Sequence, residues 1–199
     1  MKYVALWLST IAIIMFILQL VIPGFTDSLV LNQSSFQEPW RFISSIFLHG
    51  SLIHLIYNLF ALILFGLILE KFIGAKKFLL VFFISGIIAN LIAINFYNLS
   101  LGASGAIFGI IGCLTILKPN MPVFAFSIPM PLFIASIIWI IGDLIQTFVP
   151  SNIGTIAHLS GIIIGILFGF FYRKKQETKK IIVNIPEVYA RNWENHYLK

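Results

Sequence analysis

A serine set among glycines and a histidine each lie near the start of an apolar segment long enough to cross a membrane. Ser104 stands in the run Gly102-Ala103-Ser104-Gly105, and His158 follows Ala157. Serine is common in packed membrane helices, whereas histidine is rare there and usually functional. A serine hydroxyl and a histidine base are the minimum that nucleophilic catalysis requires. The pair therefore predicts an intramembrane hydrolase.

His54 and Asn58 form a second polar pair, in another apolar segment. Their spacing of four residues places both side chains on one face of a helix. Two such donors at the depth of Ser104 would suit an oxyanion hole, to which the backbone N–H of Ser104 adds a third donor. Alternatively, the pair is satisfied by mutual hydrogen bonds or by a neighbouring helix. His49 and Ser51 precede this helix, where we expect loop anchors or an N-cap rather than catalysis.

Glycines at helical spacing accompany both the serine and the histidine. In each segment they share one helical face: Gly105, Gly109 and Gly112 in the first, and Gly161, Gly165 and Gly169 in the second. Faces of this kind let two membrane helices approach closely. Such an approach would bring the His158 ring within hydrogen-bond reach of the Ser104 hydroxyl. The alternative is that both faces are packing seams whose polar residues are incidental.

The composition identifies lipid as the solvent for most of the chain. The 199 residues are 59% hydrophobic and 10% charged, with a mean hydropathy of +1.00. A soluble domain of this size could not bury so much apolar surface. The runs long enough to span the bilayer are approximately 3–22, 51–69, 78–97, 101–117, 131–149 and 154–172. The predicted fold class is an all-α polytopic membrane protein with six transmembrane helices.

The connections between these runs are polar, and most are short. They comprise a long first loop over 23–50, a tight turn over 74–77, links near 98–100 and 150–152, and a connector over 118–131. The prolines of the connector exclude a continuous helix there.

The chain divides into a membrane domain and a tail. The first apolar run follows only Met1-Lys2, lacks a small-residue cleavage pattern, and is interpreted as a retained helix rather than a signal peptide. Residues 1–172 then form one six-helix domain, and residues 173–199 form a basic and polar cytoplasmic tail.

The basic residues orient the chain in the membrane. With a cytoplasmic amino terminus, all 13 lysines and arginines except Arg41 lie on the cytoplasmic side, as the positive-inside rule requires. The net charge of +6 thus records orientation and contact with anionic lipid, and nucleic-acid binding is not needed to explain it. In this topology Ser104 and His158 lie about one turn below the outer ends of their helices, and His54 lies at the start of its own.

These motifs together resemble the rhomboid intramembrane serine proteases. The resemblance is carried by the runs 102–105 and 157–161 with Gly165, by His49-Gly50-Ser51 with His54 and Asn58, and by Trp40-Arg41 in the first loop. It covers essentially residues 1–172, in order and in topology. It implies a rhomboid-fold serine endopeptidase with a catalytic dyad of Ser104 and His158. It also implies that His54, Asn58 and the Ser104 backbone N–H bind the oxyanion.

The resemblance further implies how substrates reach the site. The serine helix would start below the membrane surface, the first loop would lie partly in the outer leaflet, and the fifth helix would be a lateral gate controlled by Trp139. Partners would be single-span membrane proteins in the lipid bilayer, cleaved near the outer face. The protein would reside in a prokaryotic plasma membrane with both termini cytoplasmic. Neither a metal nor a cofactor is expected, since the sequence has no His-Glu-x-x-His motif. It also has no paired intramembrane aspartates that would support an aspartyl mechanism.

Phe108 and Asp143 are two further candidates for supporting roles. Many relatives carry tyrosine one turn after the serine, where its ring supports the histidine. Phe108 keeps the ring but lacks the hydroxyl. Asp143 is the only acid within a span core, and its position could bring it toward His158 as a third triad member. We favour a water-facing or gating role for it, because the resemblance implies a dyad without an acid.

Two other functions compete with proteolysis. An inactive rhomboid-like protein that binds membrane clients would usually lack the serine or the histidine, and both are present. A small transporter could line a path with His158, Asp143 and Asn58, but no repeated pair of broken helices supports that function.

Overall fold

The structure is a computed structural model that describes residues 3–125, 127–149 and 154–177, with Arg191 and His196. Helices account for most of the described residues, with one two-stranded hairpin. The elements are α1 (Val4–Val21), α2 (Phe25–Leu29), α3 (Arg41–Ser44), α4 (Leu52–Ile73), α5 (Ala75–Ala93), α6 (Ser104–Leu117), β1 (Pro122–Ala125), β2 (Ile128–Pro131), α7 (Leu132–Gln146) and α8 (Thr155–Glu177). The predicted link at 150–152 and most of the tail lie outside the described residues.

Four of the described helices are long and apolar enough to cross a membrane, by length and composition. They are α1, α4, α5 and α8, the last over Thr155–Arg173. The other two apolar helices, α6 and α7, have only 14 and 15 residues, or about 21–23 Å at 1.5 Å per residue. The predicted runs 101–117 and 131–149 are longer than these two helices. They include apolar residues that are not helical, such as 101–103.

Helix α6 occupies the centre of the bundle. Most of its residues are buried, and it packs against α4, α5, α7 and α8. Because other helices surround α6, the backbone groups beyond its ends face protein rather than lipid. A helix too short to cross the hydrocarbon is therefore tolerated at this position. The outward faces of α1, α4 and α7 carry exposed isoleucine, leucine and phenylalanine side chains, as lipid contact requires.

Two predicted helix boundaries are wrong. The expected tight turn over 74–77 is reduced to Gly74, whose φ of +83° lets α4 end and α5 begin at the next residue. Ser104 is the first residue of α6 rather than one turn inside it. The helix cannot begin earlier because Gly102 has a φ of +121°, which bends the chain immediately before the serine.

The long first loop is folded rather than open. It contains α2, α3 and two short 3₁₀ turns. Buried Arg41 organises it by pairing with Glu38 and by donating hydrogen bonds to the carbonyls of Asp27 (2.7 Å) and Val30 (3.0 Å). The loop is joined to the segment before α6, because the N–H of Gly102 donates to the Ser45 carbonyl at 2.9 Å. The first loop therefore helps to fix the position of Ser104.

The proline-rich connector forms an antiparallel hairpin. Strand β1 pairs with β2 in the register Pro122↔Pro131 through Ala125↔Ile128. The prediction that prolines exclude a continuous helix is confirmed, since each proline removes a backbone donor that a helix needs.

Candidate active site

One cavity of about 1310 Å³ brings together most of the predicted site residues. It extends from the loop before α6 along α4 and α6 to the β1–β2 hairpin. Its lining includes Ser104, His158, His54, Asn58, Phe108 and Trp139. His49 and Asp143 do not line it, and they reach the site through contacts with other residues.

Glycines allow α6 and α8 to touch along their backbones. A Cβ atom on Gly161 would overlap the carbonyl oxygen of Gly105, and one on Gly165 would overlap that of Gly109. A Cβ on Gly112 would likewise overlap the carbonyl oxygen of Ile162. The close approach predicted from glycine spacing is therefore confirmed, and it places the serine helix directly against the histidine helix.

The His158 ring lies flat on the Phe108 ring, with centroids 4.4 Å apart and ring planes 5° from parallel. Phe108 lies four residues after Ser104, on the same face of α6 one turn along. The stack therefore holds His158 about one helical turn from the serine. Among the described residues, no hydrogen bond joins the Ser104 hydroxyl to His158, and catalytic hydrogen bonds commonly tighten only when a substrate binds.

The other edge of the His158 ring faces Asp143. Its Nδ1 atom lies 3.2 and 3.3 Å from the two carboxylate oxygens of Asp143. Both side chains are largely buried, with 13% and 14% of their surface exposed. The structure thus places this acid against the histidine rather than in water. Because Nδ1 faces the carboxylate, Nε2 is the ring nitrogen left for a serine proton.

His54 packs against the turn that precedes the serine. A Cβ on Gly102 would lie 2.8 Å from Cε1 and 2.9 Å from Nε2 of His54, so only glycine allows this approach. The backbone of His54 is capped by the Ser51 hydroxyl, which accepts from its N–H at 3.1 Å. The expectation that Ser51 is an N-cap is confirmed. Sequence analysis placed Gly102 in the serine motif but missed its contact with His54, which depends on the fold.

Asn58 is buried on the same face of α4 as His54. Its Nδ2 atom donates a hydrogen bond to the His54 carbonyl at 2.8 Å. One amide N–H is therefore used within the helix, and the second remains for a group in the cavity. This hydrogen bond matches the alternative in which the two residues bond to each other, and Asn58 also lines the cavity.

The start of α6 adds a backbone donor. Ser104 is the first helical residue, so its N–H has no acceptor inside the helix. The positive end of the helix dipole lies at the same point. A negative charge that develops beside the Ser104 hydroxyl would be stabilised by this N–H and by the helix dipole.

His49 is fully packed beneath His54. The residue is 2% exposed, and its ring stands edge-on to the His54 ring with centroids 5.1 Å apart. The side chain of Gln19 on α1 holds its backbone, accepting from the His49 N–H at 2.9 Å and donating to its carbonyl at 3.2 Å. Burial, with the nearby His54 ring, lowers the pKa of His49 from 6.5 to about 4. His49 is thus a neutral anchor, as its position in the loop predicted.

Trp139 closes one side of the cavity. Its ring meets Phe65 of α4 edge to face, with centroids 6.2 Å apart. This aromatic contact joins α7 to α4 beside the cavity. Farther along, the hydroxyl of Thr115 on α6 lies 2.6 Å from that of Ser136 on α7.

Comparison with known proteins identifies relatives. A Rhomboid domain profile matches residues 37–175. Rhomboid protease GlpG of Yersinia pseudotuberculosis is 30% identical over 141 residues, which cover 70% of this chain and 50% of the relative. Rhomboid protein 1, mitochondrial, of Saccharomyces cerevisiae is 32% identical over 151 residues, 69% of this chain and 43% of the relative. The chain spans about half the length of the curated relatives it matches.

Proposed function

The chain belongs to the rhomboid family, and we propose that it is an intramembrane serine endopeptidase with Ser104 and His158 as its catalytic pair. One observation carries this proposal. The backbone contact of α6 with α8 and the stack of His158 on Phe108 converge on Ser104 in a cavity that also holds His54 and Asn58.

The proposed reaction begins with proton transfer. Neutral His158 accepts the Ser104 hydroxyl proton at Nε2 while Oγ attacks a peptide carbonyl carbon. The carbonyl oxygen becomes the oxyanion of a tetrahedral intermediate. His158 then returns the proton to the leaving amine, and the acyl group stays on Ser104. Water then attacks the acyl carbonyl carbon while His158 takes one of its protons. As the bond to Oγ breaks, His158 returns the proton to Ser104 and the new carboxyl terminus is released.

The oxyanion would bind to three donors. They are the His54 ring, the free amide N–H of Asn58 and the backbone N–H of Ser104. Preorganised donors in a site that excludes water stabilise developing charge strongly, and losing one such donor costs about 10²–10³ in turnover in a soluble protease. The fixed positions of His54 against Gly102 and of Asn58 on the His54 carbonyl support this assignment.

The proposed topology has six spans, with α6 and α7 as the two short ones, both termini cytoplasmic and the site open to the outer face. The distribution of lysine and arginine supports this orientation. The proposed membrane domain is 1–172 and the tail 173–199, although α8 itself continues to Glu177.

Single-span membrane proteins are the proposed substrates. A peptide must be locally extended before Ser104 reaches its carbonyl, and unwound backbone in lipid costs several kcal/mol per unsatisfied group. Substrate helices with glycine or proline below the outer interface should therefore be preferred. Entry between α4 and α7 would require the Phe65–Trp139 contact to separate.

The test is cleavage of a single-span test substrate in proteoliposomes. Wild-type protein should release a product that Ser104→Ala and His158→Ala do not, and the double variant should be no worse, because the two residues act as a unit. Ser160→Ala is a matched control in α8, since the Ser160 hydroxyl donates to the Ile156 carbonyl of its own helix and to no other group in the described part of the chain. Normal cleavage by either single variant would refute the assignment. No cleavage by wild type would favour an inactive client-binding protein.

A further inference from the structure

Helix α7 places the carboxylate of Asp143 against Nδ1 of the His158 ring. We propose that Asp143 is a positioning residue that makes the site a Ser104–His158–Asp143 triad. This inference rests on the proposed function and extends it by assigning an acid that orients the catalytic histidine.

The geometry supports a defined role for the acid. Both carboxylate oxygens of Asp143 lie 3.2–3.3 Å from Nδ1, and both side chains are largely buried. The ring cannot turn freely, because its face lies flat on Phe108. Stacking sets the plane of the ring, and the carboxylate sets its direction within that plane.

The carboxylate also fixes the tautomer. A negatively charged acceptor at Nδ1 requires the proton on that nitrogen, which leaves the lone pair on Nε2. The Ser104 proton is then transferred to Nε2, and the ring becomes an imidazolium with both nitrogens protonated. Asp143 stabilises this positive charge without taking the proton, as the acid does in soluble triads. When Nε2 gives its proton to the leaving amine, the ring returns to the starting tautomer.

A structural tether is the competing explanation, since Asp143 joins α7 to α8. The chain offers a matched control for it. Thr147, one turn farther along the chain, makes a second polar contact between the same two segments, with its hydroxyl 2.8 Å from that of Thr155. Thr147→Val removes this contact, together with the hydrogen bond that the Thr147 hydroxyl donates to the Asp143 backbone carbonyl at 2.8 Å, and keeps the carboxylate itself.

The experiment uses two readouts in detergent for wild type, Asp143→Asn, Asp143→Glu, Thr147→Val and Ser104→Ala. One is the rate at which a small fluorophosphonate labels Ser104, which reports nucleophilicity without passage of a substrate helix. The other is kcat and KM for a single-span substrate. Asp143→Asn should lower both the labelling rate and kcat by roughly 10²–10⁴-fold and leave KM nearly unchanged. Asp143→Glu should recover part of the loss, and Thr147→Val should label at the wild-type rate.

Three results would overturn the proposal. The first is an Asp143→Asn variant that is labelled and turns over substrate at the wild-type rate. The second is a Thr147→Val variant that loses as much labelling as Asp143→Asn. The third comes from the wild-type protein. Independently of any variant's folding, ¹⁵N NMR of the wild-type imidazoles should show His158 with its proton on Nδ1, and a proton on Nε2 would contradict the triad. Failure of the proposed function itself is distinguishable, because Ser104→Ala would then cleave as wild type does.

Discussion

The rings of Phe108 and His158 are parallel to within 5°, with centroids 4.4 Å apart. This stack joins Phe108, one turn after the start of α6, to His158 in the first turn of α8, and thus links the helix of the proposed nucleophile to that of its base. The stack needs no hydroxyl on the aromatic residue, so the ring of Phe108 is sufficient to form it.

Phe108→Ala should therefore lower turnover while the protein still folds. An aromatic stack contributes about 0.5–1.5 kcal/mol beyond the area it buries, and about 1.4 kcal/mol corresponds to tenfold in rate. We expect kcat to fall roughly tenfold, with Phe108→Tyr close to wild type. Equal rates for Phe108→Ala and wild type would show that the stack does not orient the histidine.

Gly102→Ala should impair catalysis through His54. The new methyl group would lie 2.8 Å from His54 Cε1, and the backbone would be strained at φ +121°. Gly74→Ala is the matched control, because Gly74 also has a positive φ, +83°, but has no atom within 4 Å of the added Cβ. Both variants should lose about 1–3 kcal/mol of stability, because a residue with a Cβ is strained at these positive φ values. Only Gly102→Ala should also lower kcat of the remaining folded enzyme, and a similar kcat for the two would contradict the placement of His54.

Gly161→Ala should disrupt the contact of α6 with α8. The added Cβ overlaps the Gly105 carbonyl oxygen, and backbone cannot move aside as a side chain can. We expect a lower thermal midpoint in detergent together with loss of cleavage. Gly142→Ala, in α7 with open space around the added Cβ, should be neutral or stabilising by up to about 1 kcal/mol. If Gly161→Ala retained wild-type stability, the close helix contact would be wrong.

Acid should destabilise the fold through His49. Its pKa is about 4 in the folded chain and 6.5 in the unfolded chain, so below pH 6.5 only the unfolded chain takes up the proton. The stability is complete above pH 6.5 and falls by about 1.4 kcal/mol per pH unit toward pH 4. Unfolding measured across this range should show a shallower slope for His49→Leu. An unchanged slope would mean that His49 is not the buried neutral group described here.

The sequence predicted correctly those relationships that depend on the spacing of residues along one helix. The spacing of Gly105 and Gly109 and of Gly161 and Gly165 predicted the contact of α6 with α8, because residues three or four apart share a helix face. The same rule placed His54 and Asn58 together. These relationships are local to one helix and need no knowledge of the fold.

Relationships between distant segments could not be obtained in this way. Asp143 meets His158 because of how α7 crosses α8, which hydropathy does not encode. Ser104 begins α6 because Gly102 adopts a positive φ, whereas an apolar run shows no such break. The β1–β2 hairpin could not be predicted either. The prolines exclude a continuous helix but do not specify which residues pair instead.

The most direct test of the central claim is the site of modification by a fluorophosphonate, mapped by mass spectrometry on purified protein in detergent. We predict a single adduct on Ser104, absent from Ser104→Ala and strongly slowed in His158→Ala. An adduct on another serine, or equally fast labelling of Ser104 in the absence of the His158 ring, would contradict the account.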